Sequence, residues 1–112
     1  MYAIVDIETT GGYASASAIS EISVFIHDGR RVVKHFETLV NPGQSIPGYI
    51  TALTGIDDDM VKDAPAFDEI ADILFDLLNE NIFVAHSVNF DYSFVKHQLK
   101  NSGYELTAKK LC

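Results

Sequence analysis

Asp6 and Glu8 stand two residues apart in Tyr2-Ala3-Ile4-Val5-Asp6-Ile7-Glu8, where apolar side chains alternate. On a strand their carboxylates leave one face about 6.5–7 Å apart along the backbone. Two acids pointing together are costly unless a cation or solvent neutralises them, and hard oxygen ligands suit Mg²⁺ or Mn²⁺. Asp-x-Glu alone is more often a solvent-facing strand end with accidental acids. Against that, Tyr2 and Ile4 share the acids' face, and Thr9-Thr10-Gly11-Gly12 puts a permissive turn directly after them. Asp91 is a third candidate, in the first turn of a helix that follows the apolar run Ile82-Phe83-Val84-Ala85. The helix dipole is sufficient reason for a carboxylate there. If the first and fourth strands are neighbours, however, that helix start lies beside the carboxyl end of strand one, where α/β folds bind ligands.

The elements that must position these residues are read from periodicity. Residues 2–8 form a strand broken by Gly11-Gly12, and Ile19 to His27 a second. Asp28-Gly29 signals a two-residue hairpin into a third strand, Arg31 to Val40, closed by Asn41-Pro42-Gly43. Pro47 opens a short helix through Thr54 that Gly55 ends, and Asp57 caps another through Val61. Pro65 opens a longer helix with Phe67, Ile70, Leu74, Leu77 and Leu78 inward and Asp68, Asp72 and Asp76 outward. The run 82–85 reads as a strand buried on both faces. A helix from about Asn89 turns Phe90, Phe94, Val95 and Leu99 inward, ends at Ser102-Gly103, and Leu106 to Cys112 begin another strand. The order β-β-β-α-β-α-(β) predicts an α/β mixed sheet, an antiparallel three-strand meander followed by parallel crossover units.

The chain has 112 residues, room for one domain, and no repeat or linker divides it. At 47% apolar and 21% charged it is globular rather than disordered, and no run approaches a membrane span. The start lacks a secretory signal and Cys112 is the one cysteine, so a cytoplasmic location is expected. The net charge of −8 is poor for a domain that grips nucleic acid by charge alone. Residues 57–80 carry all of that excess, and the remainder is neutral. The acidity is read as the solvated side of the 67–78 helix, and Arg30, Arg31, Lys96, Lys100, Lys109 and Lys110 are free for a few phosphate contacts. His27 and His35 are expected on the surface.

Val5-Asp6-Ile7-Glu8-Thr9-Thr10-Gly11 resembles the first motif of the DEDDh, or DnaQ-like, 3′–5′ exonucleases, a family that includes the epsilon proofreading subunit of DNA polymerase III. Ala85-His86-Ser87-Val88-Asn89-Phe90-Asp91 resembles the second motif, with Ser87 where Asn is common. Leu53-Thr54-Gly55-Ile56, Ala64-Pro65-x-Phe67 and Glu21-Ile22 resemble segments between them. The resemblance implies a ribonuclease-H-like fold with Asp6, Glu8 and Asp91 as catalytic residues holding two divalent cations, Mg²⁺ or Mn²⁺. It implies that Thr9, Thr10 and Gly11 lie close to the terminal nucleotide. His86 is a candidate hydrogen-bonding neighbour, and Phe90, whose spacing to Phe94 is a core spacing, is also a candidate substrate contact.

The family's third motif, a His followed five residues later by an Asp, has no match after Asp91, since position 102 is Ser102. Residues 1–112 are therefore expected to be the N-terminal two-thirds of one exonuclease-like domain, truncated at the C-terminus and weakly active or inactive alone. An exposed sheet edge and an apolar surface near 104–112 are expected, with self-association. The function expected is removal of nucleotides from single-stranded DNA 3′ ends. The alternatives are an exoribonuclease of the same family or a non-catalytic binding module of the same fold. The expected partners are the 3′ end of DNA (or RNA) and a DNA polymerase or GIY-YIG nuclease domain, with no membrane.

Overall fold

The computed structural model describes all 112 residues. The chain runs β1 (Tyr2–Thr9), β2 (Ile19–His27), β3 (Val32–Leu39), α1 (Gly48–Thr54), α2 (Asp58–Val61), α3 (Phe67–Leu78), β4 (Ile82–Val84), α4 (Val88–Asn101) and β5 (Lys110–Leu111). The strands form one sheet in the order β3-β2-β1-β4-β5. β1 pairs antiparallel with β2 and β2 with β3, while β1–β4 and β4–β5 are parallel. The mixed α/β sheet expected from the element order is present, with β1 and β4 as neighbours.

Alternation along β1 decides which face is dry. Ala3, Val5 and Ile7 are buried and face Ile26, Val24 and Ile22 of β2 in register. They share one core with Phe67, Ile70, Ala71, Leu74 and Leu78 of α3 and with Phe94, Val95 and Leu99 of α4. The three- and four-residue spacing of the α3 set leaves Asp68, Asp72 and Asp76 in solvent, so the acidic segment is mostly an exposed helix flank. Glu69 Oε2 accepts the Ala66 N–H at 2.7 Å and satisfies one donor at the start of α3. No helix is long and apolar enough to cross a membrane.

The opposite face carries no helix from these elements, and here the sequence reading needs correction. β4 is buried only at Phe83; Ile82 and Val84 are half-buried, because they project from the uncovered face. Leu111, Val84, Ile4, Phe25 and His35 are side by side across all five strands. The His35 ring stacks on Phe25 with centroids 4.1 Å apart. Of the segment expected to form the last strand, only Lys110 and Leu111 pair, and Leu106 is instead fully buried in the core. The exposed apolar surface expected near 104–112 is thus a row across the sheet face, to which that segment contributes Leu111.

The expected two-residue hairpin is a longer loop. His27 pairs with Val32, so residues 28–31 make the turn, with Gly29 at φ +101°. Asp28 Oδ1 accepts the N–H groups of Arg30 at 2.8 Å and Arg31 at 3.0 Å, which hold its carboxyl below the ordinary carboxylate value. A carboxyl lowered by folding contributes stability above its unfolded pKa and loses it as pH falls through the folded value. Asp28→Ala is therefore expected to lower the melting temperature at pH 7, with the gap closing at acid pH. A gap that persists unchanged at the acid end would contradict this assignment.

Residues 41–64 bridge β3 to α3. α1 ends at Gly55, φ +79°, whose N–H donates to Thr51 O at 2.8 Å. Asp57 caps α2 by accepting the Met60 N–H at 2.9 Å. Ile46, Ile50, Ile56 and Val61 make a small core of their own, separate from the main one.

Candidate active site

Asp6 and Glu8 project from the uncovered face at the carboxyl end of β1, opposite Ser23 and Glu21 of β2. Asp6 is exposed and Glu8 half-buried. The register slips between Glu8 and Thr9, which pairs with Ile19. The strand then turns into Gly11-Gly12, and the Thr9 hydroxyl donates to Gly11 O at 2.7 Å. The backbone N–H of Thr10 donates to Ala18 O at 2.9 Å, and its hydroxyl accepts the Ala18 N–H at 3.0 Å. These bonds fix the turn immediately beyond the two acids.

Because β4 lies parallel to β1, the chain leaving β4 starts α4 at the same end of the sheet. Asp91 occupies the first turn of α4, and its N–H donates to Ser87 O at 3.0 Å. Ser87, at the N-cap, makes no side-chain cap bond to the helix. Asp91 is 7% exposed, and its carboxyl is pushed up to about 6. Burial is the largest cause; the charges of Asp6 and Glu8 add to it, and His86 acts in the opposite direction. Glu8 is raised by burial, then by Asp6 and Glu21, and Glu21 by burial, then by Glu37 and Asp6. Residues 6, 8 and 91, far apart in sequence, therefore share one electrostatic field.

No three His, Cys, Asp or Glu side chains stand at the spacing of a closed metal-ligand set in this structure. The chemistry of the donors nevertheless fits a hard divalent cation: they are carboxylates, and a cation would offset both the burial of the Asp91 charge and the like-charge repulsion that adds to it.

Beside Glu8 lies a cleft of about 300 Å³. One wall is Glu8, Thr9 and Gly11; the others are Ile50, Leu53 and Thr54 of α1, and Phe90 of α4. A larger cavity, about 400 Å³, is lined by Met1, Asn81 and Thr107. None of the three carboxylates lines it, so chemistry rather than size selects the site.

Phe90 corrects the expectation that its spacing buries it. It is 40% exposed, with its ring 4.9 Å from that of Phe94 and tilted 45° to it. Phe94 fills the core position one turn later, which leaves Phe90 on the cleft wall. His86 is exposed next to α4, and Thr10 is buried behind the turn, with Gly11 half-exposed.

Two contributors escaped the sequence reading. In the sequence Glu21 stands out only within a segment that resembles the family's, yet its place opposite Glu8 adds negative charge to the site. The α1 residues Ile50, Leu53 and Thr54 line the cleft, and Leu53 is 80% exposed. The Leu53-Thr54-Gly55-Ile56 motif was the available signal, but pairing it with the cleft needed the tertiary fold.

A protein-family profile described as Exonuclease (RNase_T) matches residues 3–111. The 3′-5′ exonuclease DinG of Bacillus subtilis (strain 168) is 35% identical over 106 residues, which is 94% of this chain and 11% of that protein. The DinG exonuclease of Staphylococcus aureus (strain MRSA252) is 33% identical over 110 residues, 98% of this chain and 12% of that protein. The chain thus spans about one ninth of the length of these relatives. Among solved structures, exonuclease X in complex with 5′ overhanging duplex DNA matches with a TM-score of 0.77 and 24% identity, covering 100% of this chain and 59% of that one. The zinc-bound E. coli exonuclease I–single-stranded DNA complex matches with a TM-score of 0.87 and 13% identity, covering 98% and 27%. At these identities the structural likeness speaks for the fold.

Proposed function

The chain belongs to the RNase_T family of exonucleases, and from that premise we propose that it supplies the hydrolytic site of a 3′–5′ exonuclease acting on single-stranded DNA. The observation that carries this is the gathering of Asp6, Glu8 and Asp91 at the carboxyl end of β1, where burial, with the charges of Asp6 and Glu8 added to it, lifts Asp91 to about 6. Perturbed carboxyls beside a cleft are where catalytic groups are found.

Asp6, Glu8 and Asp91 would hold Mg²⁺ or Mn²⁺, which supplies Lewis-acid stabilisation of the phosphoryl oxygens and of the leaving 3′ oxygen. The Thr9–Gly11 turn brings backbone close to the cleft, and Leu53 and Phe90 offer apolar walls to a terminal base. Water adds to phosphorus and the bond to the 3′ oxygen breaks. The products are a nucleoside 5′-monophosphate and a strand one nucleotide shorter with a free 3′-hydroxyl. A site that reads one terminal nucleotide needs no long basic groove, which suits a chain of net charge −8.

Within these 112 residues no His is followed five residues later by an Asp in the segment after Asp91, so no proton acceptor for the water is assigned here. Turnover by these residues alone is expected to be slow. A polymerase or GIY-YIG nuclease domain is the partner implied by the motif resemblance. The length of the DinG relatives suits a domain that works within a larger protein.

The test uses the longest natural reading frame containing the chain, given 5′-labelled single-stranded DNA and RNA with Mg²⁺ or Mn²⁺. A descending ladder on DNA that vanishes with EDTA is the expected result. A ladder on RNA alone would reassign the substrate, and binding without cleavage would favour the non-catalytic module.

A further inference from the structure

We propose that the hydrogen bond from Thr10 to Gln44 is a latch that holds a separate lobe, residues 46–61, over the cleft, making Gln44 a positioning residue for the 3′-terminal nucleotide. The inference rests on the reading of the cleft as a nucleotide site. The lobe has its own apolar centre, Ile46, Ile50, Ile56 and Val61, to which Leu39 of β3 is added. The cleft lies between two bodies with different cores. Ile50, Leu53 and Thr54 come from the lobe, and Glu8, Thr9 and Phe90 from the main body. Its width is therefore set by whatever ties the two together.

At its base the lobe is tied through neighbouring backbone. The Asn41 N–H donates to Pro65 O at 2.8 Å, and Asn41 forms an isolated bridge with Ala66. The chain thus enters and leaves the lobe at one place, as a hinge does. Beside the β1 turn the tie is a side chain: the Thr10 hydroxyl donates to Gln44 Oε1 at 2.6 Å across 34 residues. Thr10 is 3% exposed and bonded twice to Ala18, so the main-body half of the latch is rigid. Gln44 is exposed and does not line the cleft, so it reaches the substrate only through the lobe. Next to it, Asp58 accepts the Ile46 N–H at 2.8 Å and the Ser45 hydroxyl at 3.2 Å, which carries the position of Gln44 into α2.

The test uses the full natural protein with Gln44→Leu, Thr10→Val and the double variant. Kinetics on a single-stranded DNA 3′ end are paired with distances between spin labels on Met60→Cys and Ser93→Cys in a cysteine-free background. Gln44→Leu is expected to raise KM about fivefold, the worth of one ordinary hydrogen bond, with a smaller change in kcat. It should also broaden the label distance distribution. Because both residues act through one bond, the double variant should be no worse than Thr10→Val alone. Additive losses, or an unchanged distance distribution, would overturn the latch. A parent protein that cleaves no 3′ end, with the distribution still broadened by Gln44→Leu, would overturn the exonuclease reading and leave the latch standing.

Discussion

Replacing Asp91 with Asn in the full natural protein is expected to lower 3′-end hydrolysis by about three orders of magnitude or more while making the metal-free fold more stable. On the proposed reading of the site, the activity loss follows from removing a charged ligand that a similar-sized amide does not replace. The stability gain follows from the buried carboxyl itself. Folding raises it from an ordinary value to about 6 by burial and by the charges of Asp6 and Glu8. A carboxyl raised by folding binds more protons in the native state than in the unfolded one. Stability of the metal-free protein therefore falls as pH rises from about 4 through 6 and stays lower above. Asn at this position carries no charge, so the gain is expected near neutral pH, at about 1–3 kcal/mol, and should shrink toward pH 4. Urea unfolding in EDTA at both pH values measures it, beside the nuclease assay. A variant that lost activity and stability together at pH 7 would make Asp91 a structural residue. Asp6→Asn and Glu8→Gln should lose activity on the same scale.

Phe83→Ala is expected to cost about 3–5 kcal/mol, a large part of the 5–15 kcal/mol that holds a domain of this kind together. Phe83 is the one fully buried residue of the three-residue β4, and its ring meets Tyr92 of α4 edge-on at 5.1 Å. It lies between Ala3 of β1 and Lys110 of β5 in the ladder. A cavity there loosens the strand that starts α4 and thereby aims Asp91. Val84, one residue later, points to the uncovered face, and Val84→Thr should cost less than about 1 kcal/mol. Equal losses at the two positions in urea titrations would contradict the one-sided burial of β4.

The legible part of the fold was periodic. The alternation Ala3-Val5-Ile7 against Tyr2-Ile4-Asp6 has only one strand solution, and the spacing of Phe67, Ile70, Leu74 and Leu78 only one helical solution. Gly55 and Asp57 marked helix ends through local chemistry that tertiary context did not change. β1 and β4 are neighbours, the condition under which the sequence places Asp91 beside Asp6 and Glu8, and the charges of those two reach Asp91.

What the sequence left hidden depends on which surfaces have a neighbour. Ile82-Phe83-Val84 is apolar throughout, so composition could not say that one face lacks a cover. Phe90 and Phe94 have core spacing, but the buried stripe of α4 runs through Val88, Asp91, Phe94 and Val95 and leaves Phe90 beside it. Leu106 fills the core in a segment expected to be a strand, because a single deep side chain does not require paired backbone. Thr10 belongs to the first motif but Gln44 to none, and the two are 34 residues apart, so their bond appears only in three dimensions.

The most direct measurement is an anomalous difference map from crystals of the full natural protein grown with Mn²⁺. The expected result is a peak among the carboxylates of Asp6, Glu8 and Asp91, lost in the Asp91→Asn variant. Manganese bound only elsewhere, or no peak at saturating Mn²⁺, would contradict a metal-dependent hydrolytic site at the carboxyl end of β1.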